Sequence, residues 1–140
     1  MPAATPAPQR PSVNGLICPV AGPNAFGDSW GAARSGGRRH EGVDMMSPFG
    51  TPLVAVISGF ATMKMNSLGG ITVGLKGADG NYYYYAHLSR WEGSSRAVSQ
   101  GDVVGYVGHT GDTTANHLHF GIYFRGGAAI NPYPVVRPIC

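Results

Sequence analysis

Hydrophobic and polar positions along this chain repeat with a period of two wherever they repeat at all. Phe60–Met65 places Ala61, Met63 and Met65 on one face and Thr62 and Lys64 on the other, the alternation of a strand. Leu53–Ile57 is an apolar run of β character closed by Ser58-Gly59. Ile71–Lys76 and Asn81–His87 flank Gly77-Ala78-Asp79-Gly80, a composition suited to a hairpin loop. Val103–Val107 and Leu118–Phe124 complete the strand set, and no helical periodicity extends beyond a turn or two. The pattern predicts an all-β fold: a small antiparallel β domain with functional residues near strand ends and loops.

Composition sharpens this picture. The chain has 140 residues, 43% of them hydrophobic, enough for one domain with one core. Its 22 glycines and 11 prolines supply the turns that many short strands need. Residues 1–16, Ala/Pro-rich from Pro2 to Pro11, are expected to be a disordered linker, and 17–140 the folded domain. That domain opens with a loop-rich segment through Gly37, anchored by Phe26 and Trp30.

Charge excludes little. Ten basic against seven acidic residues give +3, which suits an anionic partner such as cell wall or no partner at all. The densest basic cluster is Arg34, Arg38 and Arg39, with no Lys/Arg run, so nucleic acid is not indicated. No apolar stretch approaches the roughly 20 residues of a membrane span, and no targeting signal is visible. Cys18 and Cys140 sit at opposite ends of the folded body. They read either as a buried free pair or as a clasp, and a disulfide would imply an oxidising compartment.

The candidate chemistry lies in five histidines and one carboxylate. In His117-Leu118-His119, strand geometry sends both imidazoles to one face and Leu118 to the other. His40 and Asp44 stand in His-x-x-x-Asp spacing. Zinc takes imidazole nitrogen and carboxylate oxygen, and a catalytic site keeps three protein ligands and an open position. His40, Asp44 and one histidine of the 117/119 pair meet that need, with one histidine to spare. Glu41 is a competing ligand expected to face solvent instead. By alternation His87 shares a face with Tyr83 and Tyr85, where those tyrosines either line a groove or pack. His109 has no partner at ligand spacing and reads as a loop residue. The glycines of Leu68-Gly69-Gly70 suit either the close approach of an extended peptide or an ordinary turn.

Taken together, these segments resemble the lysostaphin-type zinc endopeptidases of bacterial cell walls. Four blocks in order carry the likeness: His40-x-x-x-Asp44, Gly50-Thr51-Pro52-Leu53-Val54-Ala55 leading to Gly59, Tyr85-Ala86-His87-Leu88, and His117-Leu118-His119-Phe120. Gln100-Gly101-Asp102-Val103-Val104-Gly105 and Gly108-x-Thr110-Gly111 support it, so the likeness spans about residues 20 to 134. The resemblance implies that His40, Asp44 and His119 hold Zn2+, and that His117 and His87 are the catalytic pair acting on a metal-activated water. It implies an open groove over one sheet, peptidoglycan stems and cross-links as partners, and a secreted, cell-wall or periplasmic location. It also favours a Cys18–Cys140 disulfide and is compatible with a regulatory partner or propeptide. One departure is Ala115-Asn116, where the family usually has Gly or Pro just before the first histidine.

Two rivals remain at this level. Relatives that lost a ligand or catalytic histidine serve as idle wall-binding domains or activators, but all five positions are intact here. A structural zinc site normally closes with four ligands, often cysteine, and both cysteines lie far from the histidine motifs. A His-Glu-x-x-His helix is absent from the sequence.

Overall fold

The computed structural model describes residues 15–140. Nine strands follow in order: β1 (Val43–Met46), β2 (Pro52–Val54), β3 (Gly59–Asn66), β4 (Gly70–Gly77), β5 (Tyr82–Trp91), β6 (Arg96–Val98), β7 (Val103–Val107), β8 (His117–Tyr123) and β9 (Ala129–Ile130). A single turn of helix, α1 (Tyr133–Val136), lies near the C-terminus. All pairings are antiparallel, and the main path runs β1-β8-β5-β4-β3-β6. β7 bridges β2 and β5, and β9 adds to β8. The sheet is open, and its antiparallel strands are what the alternation of short strands predicts.

One face of the sheet is the core. Val43 and Met45 of β1, Leu118 and Phe120 of β8, Tyr83 and Tyr85 of β5, and Val73 and Leu75 of β4 are all buried there. Tyr85 stands edge-on to Phe120, and its hydroxyl donates to the Val54 carbonyl while accepting from the Val56 amide. A phenol can be fully buried only when its oxygen is satisfied in this way. The Tyr83 hydroxyl reaches the Asp79 carboxylate in the β4–β5 turn. Both tyrosines therefore pack rather than line a groove.

The segment before β1 packs on the domain as an extended loop. The Ile17 amide donates to the Val56 carbonyl, the Val54 amide to Pro19, and the Ala21 amide to Pro52. These bonds cover backbone groups that β2 would otherwise expose, so pairing in β2 ends at Val54 although the apolar run continues to Ile57. Residues 1–14 of the expected linker lie outside the described residues. Leu16, also placed in that linker, is instead part of the core at 3% exposure, because its apolar side chain is carried inward by the Ile17–Val56 hydrogen bond. β1, β6, β9 and α1 are short elements that no sequence pattern announces.

Cys18 and Cys140 form a disulfide with Cα atoms 5.2 Å apart, closing a loop with a sequence separation of 122 residues. It ties the packed N-terminal loop to Cys140, beyond the end of α1 at Val136. In the chain-entropy model a loop of this length contributes about 4–5 kcal/mol. Replacing both cysteines by alanine is expected to lower unfolding free energy by about 2–5 kcal/mol, read as a lower denaturant midpoint. An unchanged midpoint would show that the sheet holds its ends without the clasp.

Candidate metal centre

β1 and β8 are adjacent, and their register sets Asp44 directly opposite His119. Val43 and Met45 point into the core, so Asp44 faces the other side. Likewise Leu118 and Phe120 are buried while His117 and His119 share the open face. His40 comes from the turn just before β1, four residues from Asp44. It is almost wholly buried, at 4% exposure.

Three donor atoms converge. His40 Nε2 lies 3.1 Å from Asp44 Oδ1 and 3.1 Å from His119 Nδ1, and His119 Nδ1 lies 3.2 Å from Asp44 Oδ1. Metal bonds of about 2.0–2.2 Å at tetrahedral angles put neighbouring ligand atoms about 3.3–3.6 Å apart, so a triangle only slightly tighter than this could hold a small metal ion. Second contacts set which nitrogen is available. His40 Nδ1 lies 3.2 Å from the Ser29 carbonyl and 3.1 Å from the Ser29 hydroxyl, and the tautomer that donates to the carbonyl is the one that turns an Nε2 lone pair inward for a metal. Lone pairs and a carboxylate facing one another are repulsive until a cation sits between them. Burial pushes the Asp44 carboxyl up, but in the metal-free site hydrogen bonds from His119 and His40, when those rings carry a proton towards it, and their charge outweigh burial and hold it far below the usual carboxylate range. A carboxylate this firmly anionic is a competent ligand.

The other predicted residues join the same cluster. The His117 ring is 4.9 Å from that of His87, and His87 is 6.1 Å from His119. His117 Nδ1 lies 2.9 Å from the Ala115 carbonyl and His87 Nδ1 2.7 Å from the Thr110 carbonyl. By the same reasoning both rings keep Nε2 free, and that of His117 stands 3.6 Å from Asp44 Oδ1. Glu41 is exposed, as expected. His109 stays outside the triangle, bonded to the Asn116 side chain at 2.7 Å.

Residues 38–132, well over half of the chain, match the family described as Peptidase family M23. The chain belongs to peptidase family M23. It is 34% identical over 135 residues to the L-Ala–D-Glu endopeptidase of Bacillus subtilis (strain 168), covering 85% of this chain and 41% of that protein. With the DD-carboxypeptidase/endopeptidase Mpg of Neisseria meningitidis serogroup B (strain ATCC 13091 / M2091) it shares 38% over 102 residues, 72% of this chain and 24% of that one. The crystallised catalytic domain of the antimicrobial peptidase lysostaphin from Staphylococcus simulans superposes with a TM-score of 0.73 at 32% identity, covering 81% of this chain and 92% of that domain. The chain therefore spans less than half the length of the curated relatives it matches, and nearly all of a peptidase catalytic domain.

Within this M23 domain, His87 reaches the site by a route that alternation does not predict. β5 pairs Tyr85 with Val73 but Leu88 with Ile71, so three steps of β5 oppose two of β4. The extra residue is a β-bulge, and His87 sits in it with φ of +69°. It consequently leaves the buried face of Tyr83 and Tyr85, on which the sequence placed it, and faces the cleft. β5 also changes neighbour here, from β8 up to Ala86 to β7 from Leu88. Thr110 closes the gap: its hydroxyl accepts from the Ile71 amide at 3.0 Å and donates to the Leu88 carbonyl at 2.6 Å, while its carbonyl holds the His87 ring. Sequence gives only a Gly-x-Thr-Gly turn for this residue.

Around the centre lies a cleft of about 860 Å³. Tyr84, not Tyr83 or Tyr85, lines it, with its ring edge-on to His119 and its hydroxyl accepting from Asn66 Nδ2 at 3.1 Å. Gly69 packs against that hydroxyl, where a Cβ would come within 2.3 Å, so the Leu68-Gly69-Gly70 turn forms one wall. Gly42 lies so close to His119 that a Cβ would stand 2.6 Å from its ring. Arg34, which the sequence offered only as surface charge, holds the second oxygen of Asp44 at 3.1 Å.

Thr110→Val is expected to destabilise the domain by about 1–3 kcal/mol, since it leaves two backbone groups at the bulge without partners. Thr110→Ser should restore most of that loss in denaturant unfolding. Burial pushes the His87 imidazole below its ordinary value of 6.5, outweighing the hydrogen bond to Thr110 that opposes it. The unfolded ring then protonates first, so the metal-free protein should lose stability as pH falls below 6.5. His87→Asn, which tolerates the same backbone, should flatten that part of the unfolding profile.

Proposed function

We propose that this domain is a zinc-dependent endopeptidase that hydrolyses peptide cross-links of bacterial peptidoglycan. The observation that carries the reading is the triangle of His40 Nε2, Asp44 Oδ1 and His119 Nδ1 beside two further histidines with free Nε2 atoms. Three ligands of this chemistry suit zinc with an open position, whereas a closed structural site would need a fourth. Membership of a peptidase family, and relatives named for L-Ala–D-Glu and D,D-peptide bonds, support the substrate class. The disulfide suits an exported protein. Among the described residues no helix is long and apolar enough to cross a membrane.

The chain's own groups take these parts. His40, Asp44 and His119 would hold a zinc ion, which when bound would supply Lewis acidity to a carbonyl oxygen and to a water nucleophile near neutral pH. His117, fixed by the Ala115 carbonyl, presents Nε2 as the base that accepts the water proton and returns it to the leaving amine. Ala115, at the position where this chain departs from its family, thus orients a catalytic ring through its backbone. His87 Nε2 accepts a second hydrogen bond from the attacking water, with its ring locked by the Thr110 carbonyl. Arg34 holds the distal oxygen of Asp44, leaving Oδ1 as the ligand atom. Tyr84 and the 66–70 turn shape the cleft in which an extended peptide lies.

His119→Ala is expected to abolish both zinc binding and cleavage, whereas His117→Ala should keep the metal and lose about 10²–10⁴ in rate. Zinc content by competition with a chelating dye, and product release from purified sacculi followed by mass spectrometry, separate the two. Loss of metal in His117→Ala would reverse the ligand assignment. Intact sacculi from several wall types with zinc bound would instead make the domain a wall-binding module.

A further inference from the structure

The ionised side chains that line the cleft are unevenly placed. Arg34, Arg38 and Arg39 enter from the segment before β1, while the acidic members are Glu41, Asp44 and Asp112. Arg38 pairs with Asp112 at 3.7 Å and Arg34 with Asp44 at 3.1 Å. With neutral histidines the charges cancel, but only while Asp44 is available to its arginine alone. A divalent cation held at Asp44 Oδ1 would share that carboxylate and leave the cleft with an excess of two positive charges. The opposite wall is made by Asn66, Leu68, Gly69 and Tyr84, with Asp112 beside it, its amide donating to the Leu68 carbonyl at 2.8 Å.

Arg34 is preorganised for a second anion. Its Nη1 donates to the Ala33 carbonyl at 3.1 Å and its Nη2 to Asp44 Oδ2 at 3.1 Å, engaging two of five N–H donors. The side chain remains one-third exposed. Arg39, immediately before the ligand His40, is exposed on the same wall and reaches the Gly31 carbonyl at 3.5 Å. Guanidinium forks match carboxylates in geometry as well as charge. A neutral glycine bridge offers nothing to such a wall.

We propose that the Arg34–Arg39 wall binds a free carboxylate on the residue next to the scissile bond. The substrate is then an anionic stem peptide, carrying D-glutamate or a diamino diacid with its carboxyl unamidated, and not a glycine bridge. The inference rests on the peptidase reading for the scissile bond, but its binding arm stands apart from turnover.

The test uses the zinc-loaded chain with His117→Ala, titrated calorimetrically with a cross-linked stem peptide whose side carboxyls are free, the same peptide amidated, and a pentaglycine-bridged peptide. Wild-type hydrolysis of the three is followed in parallel. The free-carboxylate peptide is expected to bind about tenfold to a hundredfold more tightly than its amidated twin. The preference should shrink with added salt and fall towards one in Arg39→Gln, an exposed site whose replacement leaves the sheet intact, and in Arg34→Lys, which keeps charge but loses the fork. Equal binding of the free and amidated peptides, or tighter binding of the pentaglycine peptide, would overturn the proposal. Discrimination in binding without hydrolysis of any peptide would uphold it and overturn the peptidase reading instead.

Discussion

The pairing of β1 with β8 governs this domain, since Asp44 faces His119 only in the observed register. Side chains alternate along a strand, so a slip of one residue would turn Asp44 into the core and expose Val43 and Met45. Burial of those two residues against Leu118 and Phe120 therefore selects the register that assembles the site. Full burial of a Val or Met is worth about 1.5–3 kcal/mol each, which makes the slipped pairing costly before any metal is considered. The core thus carries the precision that the ligand triangle requires. Gly42 belongs to the same arrangement, since β1 approaches the His119 ring too closely for a side chain there.

A regular sheet supplies two of the three candidate ligands but not the whole site. His87 enters by a bulge, an irregularity that re-aims a side chain at the cost of unpaired backbone groups. Thr110 satisfies those groups with one hydroxyl and orients the ring with its carbonyl. The loop from Gly108 to Asn116 does the same for His117 through Ala115. Both non-ligand histidines are consequently positioned by backbone carbonyls of one loop, which fixes their protonated nitrogen and frees the other for chemistry.

Electrostatics run through the same residues. Acceptor atoms that crowd together are unfavourable alone and favourable around a proton or a metal cation, which is the situation of His40, Asp44 and His119. Arg34 moderates this by holding the outer oxygen of Asp44. That contact links metal binding to the charge of the cleft wall, because any cation at the inner oxygen competes for the same carboxylate.

Local chemistry was legible in the chain itself. Alternation and short apolar runs marked β2, β3, β4, β5, β7 and β8, the hairpin at Gly77–Gly80 and the shared face of His117 and His119, because these depend on neighbours in sequence. The choice of His119 over His117 as ligand came from the resemblance, and His119 lies with His40 and Asp44 in the group that could hold a metal. Three features waited for the tertiary structure. The face of His87 depends on a bulge, which alternation cannot encode. The role of Arg34 depends on a loop folding back to reach Asp44 ten residues on. The burial of Leu16 and the inward packing of Tyr83 and Tyr85 depend on which strands lie above them. Sequence specifies which residue types occur at which spacing, whereas only long-range pairing decides which lone pairs end up facing one another.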